Sequence, residues 1–390
     1  MFKQIKTIAF KLGSYCDLDC EYCYQDHDIK TKNDMFDMYK DLTKFCSHPK
    51  LNVCKTLTFK LTGGEPSLYA DRIWIAYKEL KKIERYKDTK VVFSSVFNGT
   101  KIDEMIDYMK MGILVPRECM VSWDGIYSCS KSRKTKVAKY NDEYFQNVIC
   151  QLGQSEYAKD VIVRIALTEN TIDDLVDSFK FALMVGCRRL EYYFINEKDC
   201  YSDIDFQKKF MKAVDEVIQL KYQYPDFEWE TWTKLEALDG LDPQKELLKS
   251  INCHHLGKAI YILNDGRITP CAFMVPGSQY TTQDMCIGHI KYGFYKNKIA
   301  SFIDQFKNIQ RCSTNEHCLN MHCFECPAVN LFMNGHMQKR LHKACFERTY
   351  ERTAFQRVKQ DFDHPRYKHT SMPLTWDVDY SMPDLPYANP

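Results

Sequence analysis

The first 225 residues alternate between two rhythms. Short runs rich in β-branched and aromatic residues recur at 5–12 (IKTIAFKL), 56–62 (TLTFKLT), 90–97 (KVVFSSVF), 118–123 (ECMVSW), 161–167 (VIVRIAL) and 189–195 (RLEYYFI). Between them, at 34–47, 70–85, 101–111, 142–153, 171–185 and 204–223, apolar positions fall at helical spacing. The first set predicts strands and the second helices. Six strand–helix units in succession predict an α/β fold, a parallel sheet with helices on its outer face. Six units are too few to close an eight-unit barrel, so a partial (β/α)6 TIM-like barrel is expected.

From about residue 231 this rhythm stops. YILNDGRITPCAFMV (261–275) reads as a β-hairpin turning at Asn264-Asp265-Gly266. A cysteine-rich, loop-heavy stretch runs on to Cys345, followed by a proline-bearing, nonperiodic end. The expected division is a barrel over 1–230, a small cysteine-rich extension over 231–350 and a tail over 351–390.

The residues between the elements sharpen this picture. SYCDLDCEYCYQ (14–25) follows strand one, GGEP (63–66) strand two and NGT (98–100) strand three. SWDG (122–125) ends strand four, and TEN (168–170) follows strand five. In α/β barrels, sites are assembled from loops at the carboxyl ends of the strands. All five stretches are expected there.

Charge narrows the partners. The formal net charge is +2, without a long basic or acidic block, so neither nucleic acid nor a membrane surface is the expected partner. No stretch approaches the roughly 18 apolar residues of a spanning helix. The N-terminus, MFKQIKTIAFKLG, lacks the apolar core of a signal peptide, and a cytoplasmic protein is expected.

In that compartment, clustered cysteines point to metal rather than disulfides. There are 18 cysteines. Cys46, Cys54, Cys119, Cys150, Cys187 and Cys200 are scattered and read as small buried hydrophobes, with Cys129 and Cys286 undecided. Cys16, Cys20 and Cys23 form a C-x3-C-x2-C run. Three thiolates on a [4Fe-4S] cluster leave one iron open to an exogenous ligand. The alternative is a three-cysteine zinc site borrowing a histidine such as His27.

The run, with Tyr22 as the aromatic before its last cysteine, resembles the cluster motif of the radical S-adenosylmethionine (SAM) enzymes. The resemblance extends over residues 5 to 200. It implies that Cys16, Cys20 and Cys23 hold a cluster whose open iron chelates S-adenosylmethionine. One electron then cleaves the cofactor to methionine and a 5′-deoxyadenosyl radical, which abstracts a substrate hydrogen atom. Gly63, Gly64 and Glu65 resemble the loop that holds the methionyl ammonium, where glycine permits close backbone approach and a carboxylate suits a cation. Ser122 and Arg133 resemble the ribose and carboxylate contacts, with Arg117 and Arg164 as alternatives to Arg133. The resemblance places Tyr22 beside the adenine. The TEN loop is expected to line the same pocket, unless Asn170 only caps the following helix.

The later cysteines resemble the SPASM extension, which holds auxiliary iron–sulfur clusters in peptide-modifying members. Cys253, then Gly266 and four residues to Cys271, match its opening, and Cys312, Cys318, Cys323, Cys326 and Cys345 complete seven. Their C-x5-C-x4-C-x2-C spacing over 312–326 departs from the SPASM pattern. Two four-ligand clusters need an eighth ligand, with Cys286, His254, His255, His317 and His322 as candidates, so one or two auxiliary clusters are expected. Structural zinc is the alternative.

This layout implies hydrogen abstraction from a peptide or protein, with maturation by cross-link, thioether or epimerisation. An electron donor such as a flavodoxin or ferredoxin is implied. Because the first strand begins by residue 5, a leader-gripping domain is expected to be absent. A separate protein would supply it, or the barrel and extension would bind the peptide directly. Anaerobic sulfatase maturation is the alternative reaction. The resemblance implies an aspartate base after the G-x4-C cysteine, where this chain has Ala272, which cannot accept a proton. Asp124 or Asp284 is the alternative base, so the catalytic acid or base is not assigned. A non-catalytic, zinc-rich interaction protein is the third reading.

Overall fold

The computed structural model describes residues 4–23, 25, 38–135, 137–195, 203–233, 258–274 and 285–307. The main strands are β1 (Ile5–Lys11), β3 (Val53–Thr62), β4 (Lys90–Phe97), β5 (Met120–Ser122), β7 (Ile162–Leu167) and β8 (Arg189–Phe194). Two dipeptides, β2 (Asp19–Cys20) and β6 (Arg133–Lys134), pair only with each other, antiparallel. The helices between strands are α1 (Met38–Ser47), α2 (Ala70–Lys81), α3 (Ile102–Lys110), α4 (Cys129–Ser132), α5 (Asp142–Gln154), α6 (Leu175–Met184) and α7 (Ile204–Gln223). All six expected strand–helix units are present.

The sheet does not end with them. β9 (Glu228–Trp229) adds parallel to β8, and β10 (Ala259–Ile262) adds parallel to β1 at the other side. β10 turns through Gly266, whose φ of 85° suits glycine, into β11 (Arg267–Thr269). β12 (Gly288–His289) and β13 (Gly293–Phe294) continue antiparallel, and α8 (Lys296–Lys307) follows. The order is β13-β12-β11-β10-β1-β3-β4-β5-β7-β8-β9, an open sheet in which the hairpin expected for the extension is hydrogen-bonded directly to strand one. That contact is invisible to periodicity because β10 is only four residues long.

Alternation along each strand separates two faces. Phe10, Phe59 and Phe93 point to the helices, with Phe59 stacked on Phe93 at 5.4 Å and tilted against Tyr86 at 6.2 Å. Further along, Trp123 meets Phe181 of α6 and Tyr192 meets Phe210 of α7. The neighbouring positions, including Lys60, Ser94, Ser122, Arg164 and Glu191, therefore line the concave face, or lumen. Among the scattered cysteines, Cys46, Cys119 and Cys187 are buried as expected, and so is Cys129. Cys54 and Cys150 are part-exposed instead, because they sit on the outer sides of β3 and α5. Cys200, the other cysteines of the extension apart from Cys271 and Cys286, and the tail lie outside the described residues.

Candidate functional site

The cysteine run is held from below by the loop after β3. Gly64 N donates to Gly13 O and Glu65 N to Tyr15 O, each at 3.0 Å. A Cβ on Gly64 would stand 2.1 Å from Tyr15 O and 2.6 Å from Ser14 O, so only glycine permits this approach. Tyr15 N donates to the hydroxyl of Tyr69 at 2.8 Å, and Gln25 Nε2 donates to Gly63 O at 2.5 Å. The two loops are thus one unit.

Glu65 is 1% exposed, and both its oxygens are engaged. Oε1 accepts from Ser67 N and Oγ, and Oε2 from Asn98 N at 2.7 Å. Burial raises its pKa to about 7 against the pull of these donors. Asn98 is the hub of the site. Its Nδ2 donates to Asp17 Oδ1 at 2.8 Å and stands 3.8 Å from Cys16 Sγ, while its Oδ1 accepts from Thr100 N and Oγ1. Its carbonyl accepts from Arg133 Nη1 at 2.9 Å. One residue after β4 therefore ties together the loops of β1, β3 and β5.

Arg133 reaches this point because β2 pairs with β6, setting Cys20 opposite Arg133. The guanidinium is buried over the ring of Phe145, with Nε 3.9 Å from Asp124 Oδ2. Tyr22 donates its hydroxyl to the same Oδ2 at 2.6 Å. Burial raises the thiol of Cys20 well above its usual value, partly countered by the Arg133 charge. Burial likewise pushes Cys16 up to about 12. Metal binding at these thiols must therefore displace protons.

Ser122 ends β5 on the lumen face, in register with Arg164. Arg117 is at the opposite, amino-terminal end of β5, paired with Glu228 and Asp160, so it is remote from the cysteine run. Asn170 does not occupy the cap position of the following turn, which belongs to Thr171; its carbonyl accepts from Ser128 Oγ.

Cys16, Cys20 and Cys23 are all part-exposed and near enough to influence one another's charge. Yet among the described residues no three His, Cys, Asp or Glu side chains converge as the ligands of one metal ion do.

Residues 7–149 match the family described as "4Fe-4S single cluster domain". No curated protein sequence matches the chain. Among solved structures, anSMEcpe with bound AdoMet is 17% identical with a TM-score of 0.67, covering 91% of this chain and 99% of that one. anSMEcpe with bound AdoMet and Kp18Cys peptide gives 17% and 0.68. Streptococcus suis SuiB bound to S-adenosylmethionine is 15% identical with a TM-score of 0.55, covering 88% of this chain and 77% of that one. The chain shares the fold of anSMEcpe and SuiB.

Within this fold, the expected residues Tyr22, Gly63, Gly64, Glu65, Ser122 and Arg133 all belong to the loops and strand ends around the cysteine run. Of the extension's expected ligands, Cys271 lies just beyond β11, and Cys253, Cys312, Cys318, Cys323, Cys326 and Cys345 lie outside the described residues. Cys286 is buried before β12, its thiol 3.1 Å from Gly288 O. Sequence reasoning missed Asn98 as the hub and Asp124 as the partner of Tyr22. Their positions, directly after β4 and two residues after β5, were visible, but their partners were not. Asn98→Ala is expected to speed loss of reconstituted iron to a chelator by about tenfold, because the Cys16–Asp17 segment loses its side-chain tether. An unchanged rate would show that the backbone contacts suffice.

Proposed function

We propose that this protein is a radical SAM enzyme that modifies a peptide or protein substrate. The observation that carries the reading is the three-thiol loop, locked onto the GGE loop above the lumen of this fold. Cys16, Cys20 and Cys23 hold a [4Fe-4S] cluster, and Gly63, Gly64, Glu65, Ser122 and Arg133 hold S-adenosylmethionine. When bound, cluster and cofactor supply one-electron cleavage to a 5′-deoxyadenosyl radical.

The chain's own groups prepare that chemistry. Asp124 fixes Tyr22 through the 2.6 Å hydrogen bond, setting the aromatic edge against which the adenine packs. Glu65 would offer its carboxylate to the methionyl ammonium while bracing Ser67 and Asn98. The Arg133 charge eases thiolate formation at Cys20. Cys253, Cys271, Cys312, Cys318, Cys323, Cys326 and Cys345 hold one or two auxiliary clusters. An external donor such as a flavodoxin or ferredoxin supplies the electron, and the leader is gripped by a separate protein or by the chain itself. A cytoplasmic location suits this chemistry. No described helix is long and apolar enough to cross a membrane.

Peptide partners are supported by the solved structures of SuiB bound to precursor peptide SuiA and of anSMEcpe with Cp18Cys peptide. Formylglycine formation is the second reading, favoured by the likeness to anSMEcpe and opposed by Ala272. That alanine packs against the cluster of Ala9, Tyr261 and Leu263 and offers no proton acceptor.

Iron and zinc counted after anaerobic reconstitution test the proposal. About 12 irons per chain indicate two auxiliary clusters, about 8 one, and about 4 with zinc a structural extension. Zinc without iron would sink the enzyme reading.

A further inference from the structure

Beneath the thiol loop, the lumen carries a charged layer that the cofactor contacts do not use. Lys60 points inward from β3, in register with Ala9 on one side and Ser94 on the other. Across the lumen, Arg164 of β7 is in register with Ser122 and with Glu191 of β8. Arg164 donates through Nε and Nη2 to the same oxygen of Glu191, at 2.8 and 2.6 Å, and stacks over Tyr193 at 5.2 Å. Lys60 has no hydrogen bond or ion pair with any described residue. It lies deep in the protein, yet its side chain still touches the open lumen.

An ammonium and a guanidinium therefore face a single carboxylate, and that carboxylate is held by the guanidinium. An uncompensated buried cation is strongly disfavoured unless an anion joins it. Burial first, and then the Arg164 charge, lower the lysine's pKa, and Glu191 opposes them only in part. Tyr193 places this layer in the site. It neighbours Arg164 below and Asp124, Arg133 and Cys20 above. A group anchored at Lys60 thus lies next to the space that the thiol loop covers.

We propose that Lys60, backed by Arg164, forms an anion subsite that binds a carboxylate of the peptide substrate close to the atom attacked. This rests on the peptide-modifying reading above and adds its substrate class, a peptide with an acidic side chain or a free C-terminus at the reacting segment. Glu191 orients Arg164 and repels a second anion from its own side, so the carboxylate is steered toward Lys60.

The test uses the full chain, reconstituted and saturated with S-adenosylmethionine, and three probes followed by calorimetry. They are acetyl-Gly-Asp-Gly-amide, acetyl-Gly-Asn-Gly with a free carboxyl terminus, and acetyl-Gly-Asn-Gly-amide. One of the two anionic probes is expected to bind at least about tenfold more tightly than the neutral one, as a charge-assisted hydrogen bond implies. Which one binds identifies the source of the carboxylate. Lys60→Met should erase the difference, Lys60→Arg should keep it, and S-adenosylmethionine affinity should move less than about twofold in both. Equal binding of all three probes to the wild-type chain overturns the proposal, with or without a folded variant. So does Lys60→Met that loses cofactor affinity instead, since the subsite would then serve the methionyl carboxylate. Failure of the wild-type chain to bind S-adenosylmethionine or to cleave it sinks the enzyme reading itself, a separate outcome.

Discussion

Replacing Cys16, Cys20 and Cys23 together with alanine is expected to abolish 5′-deoxyadenosine production and to lower bound iron by about four per chain. A cubane held by three protein thiolates loses every protein ligand, whereas the extension's cysteines are untouched. The fold should survive, because the three side chains are part-exposed and the loop is held by backbone contacts from Gly64 and Glu65. Circular dichroism should be that of the wild type, and the remaining iron should sit in the auxiliary clusters. Cofactor cleavage persisting in this variant would falsify the assignment of the radical-generating site.

Gly64→Ala should have the second-largest effect. The new methyl would stand 2.1 Å from Tyr15 O and 2.4 Å from Tyr15 C, both backbone atoms that cannot swing aside. The loops must separate, at a cost of about 1–3 kcal/mol typical of overpacking. Separation breaks the bonds from Gly64 N to Gly13 O and from Glu65 N to Tyr15 O, which join the GGE loop to the cysteine run. S-adenosylmethionine affinity, measured by equilibrium dialysis, should fall at least about tenfold, with a lowered thermal midpoint. An unaltered affinity would mean that the loop has no part in holding the cofactor.

The barrel was legible in the sequence because each of its strands and helices is long enough to show its own period. β3 extends three residues earlier than expected and α6 begins after a single 3-10 turn, but the units and their order agree. The cysteine run and GGE were equally legible, since their chemistry rests on residue type and short spacing. Asn98 was not legible as a hub, because its partners Asp17, Glu65 and Arg133 are far away in sequence and meet only at the strand ends. Nor was the pairing of Tyr22 with Asp124, separated by 102 positions.

By itself the sequence determined the succession of strand and helix and placed the cysteine run and the GGE loop directly after the first two main strands. These are local properties, written in period and spacing. Only the tertiary structure decided that the hairpin of the extension joins the barrel sheet beside β1, that Glu65 and Asn98 lock three loops together, and that Lys60 faces Arg164 and Glu191 across the lumen. Those outcomes depend on which strands become neighbours and on the face to which each side chain turns, and folding settles both together when the aromatic face of the sheet is buried against its helices.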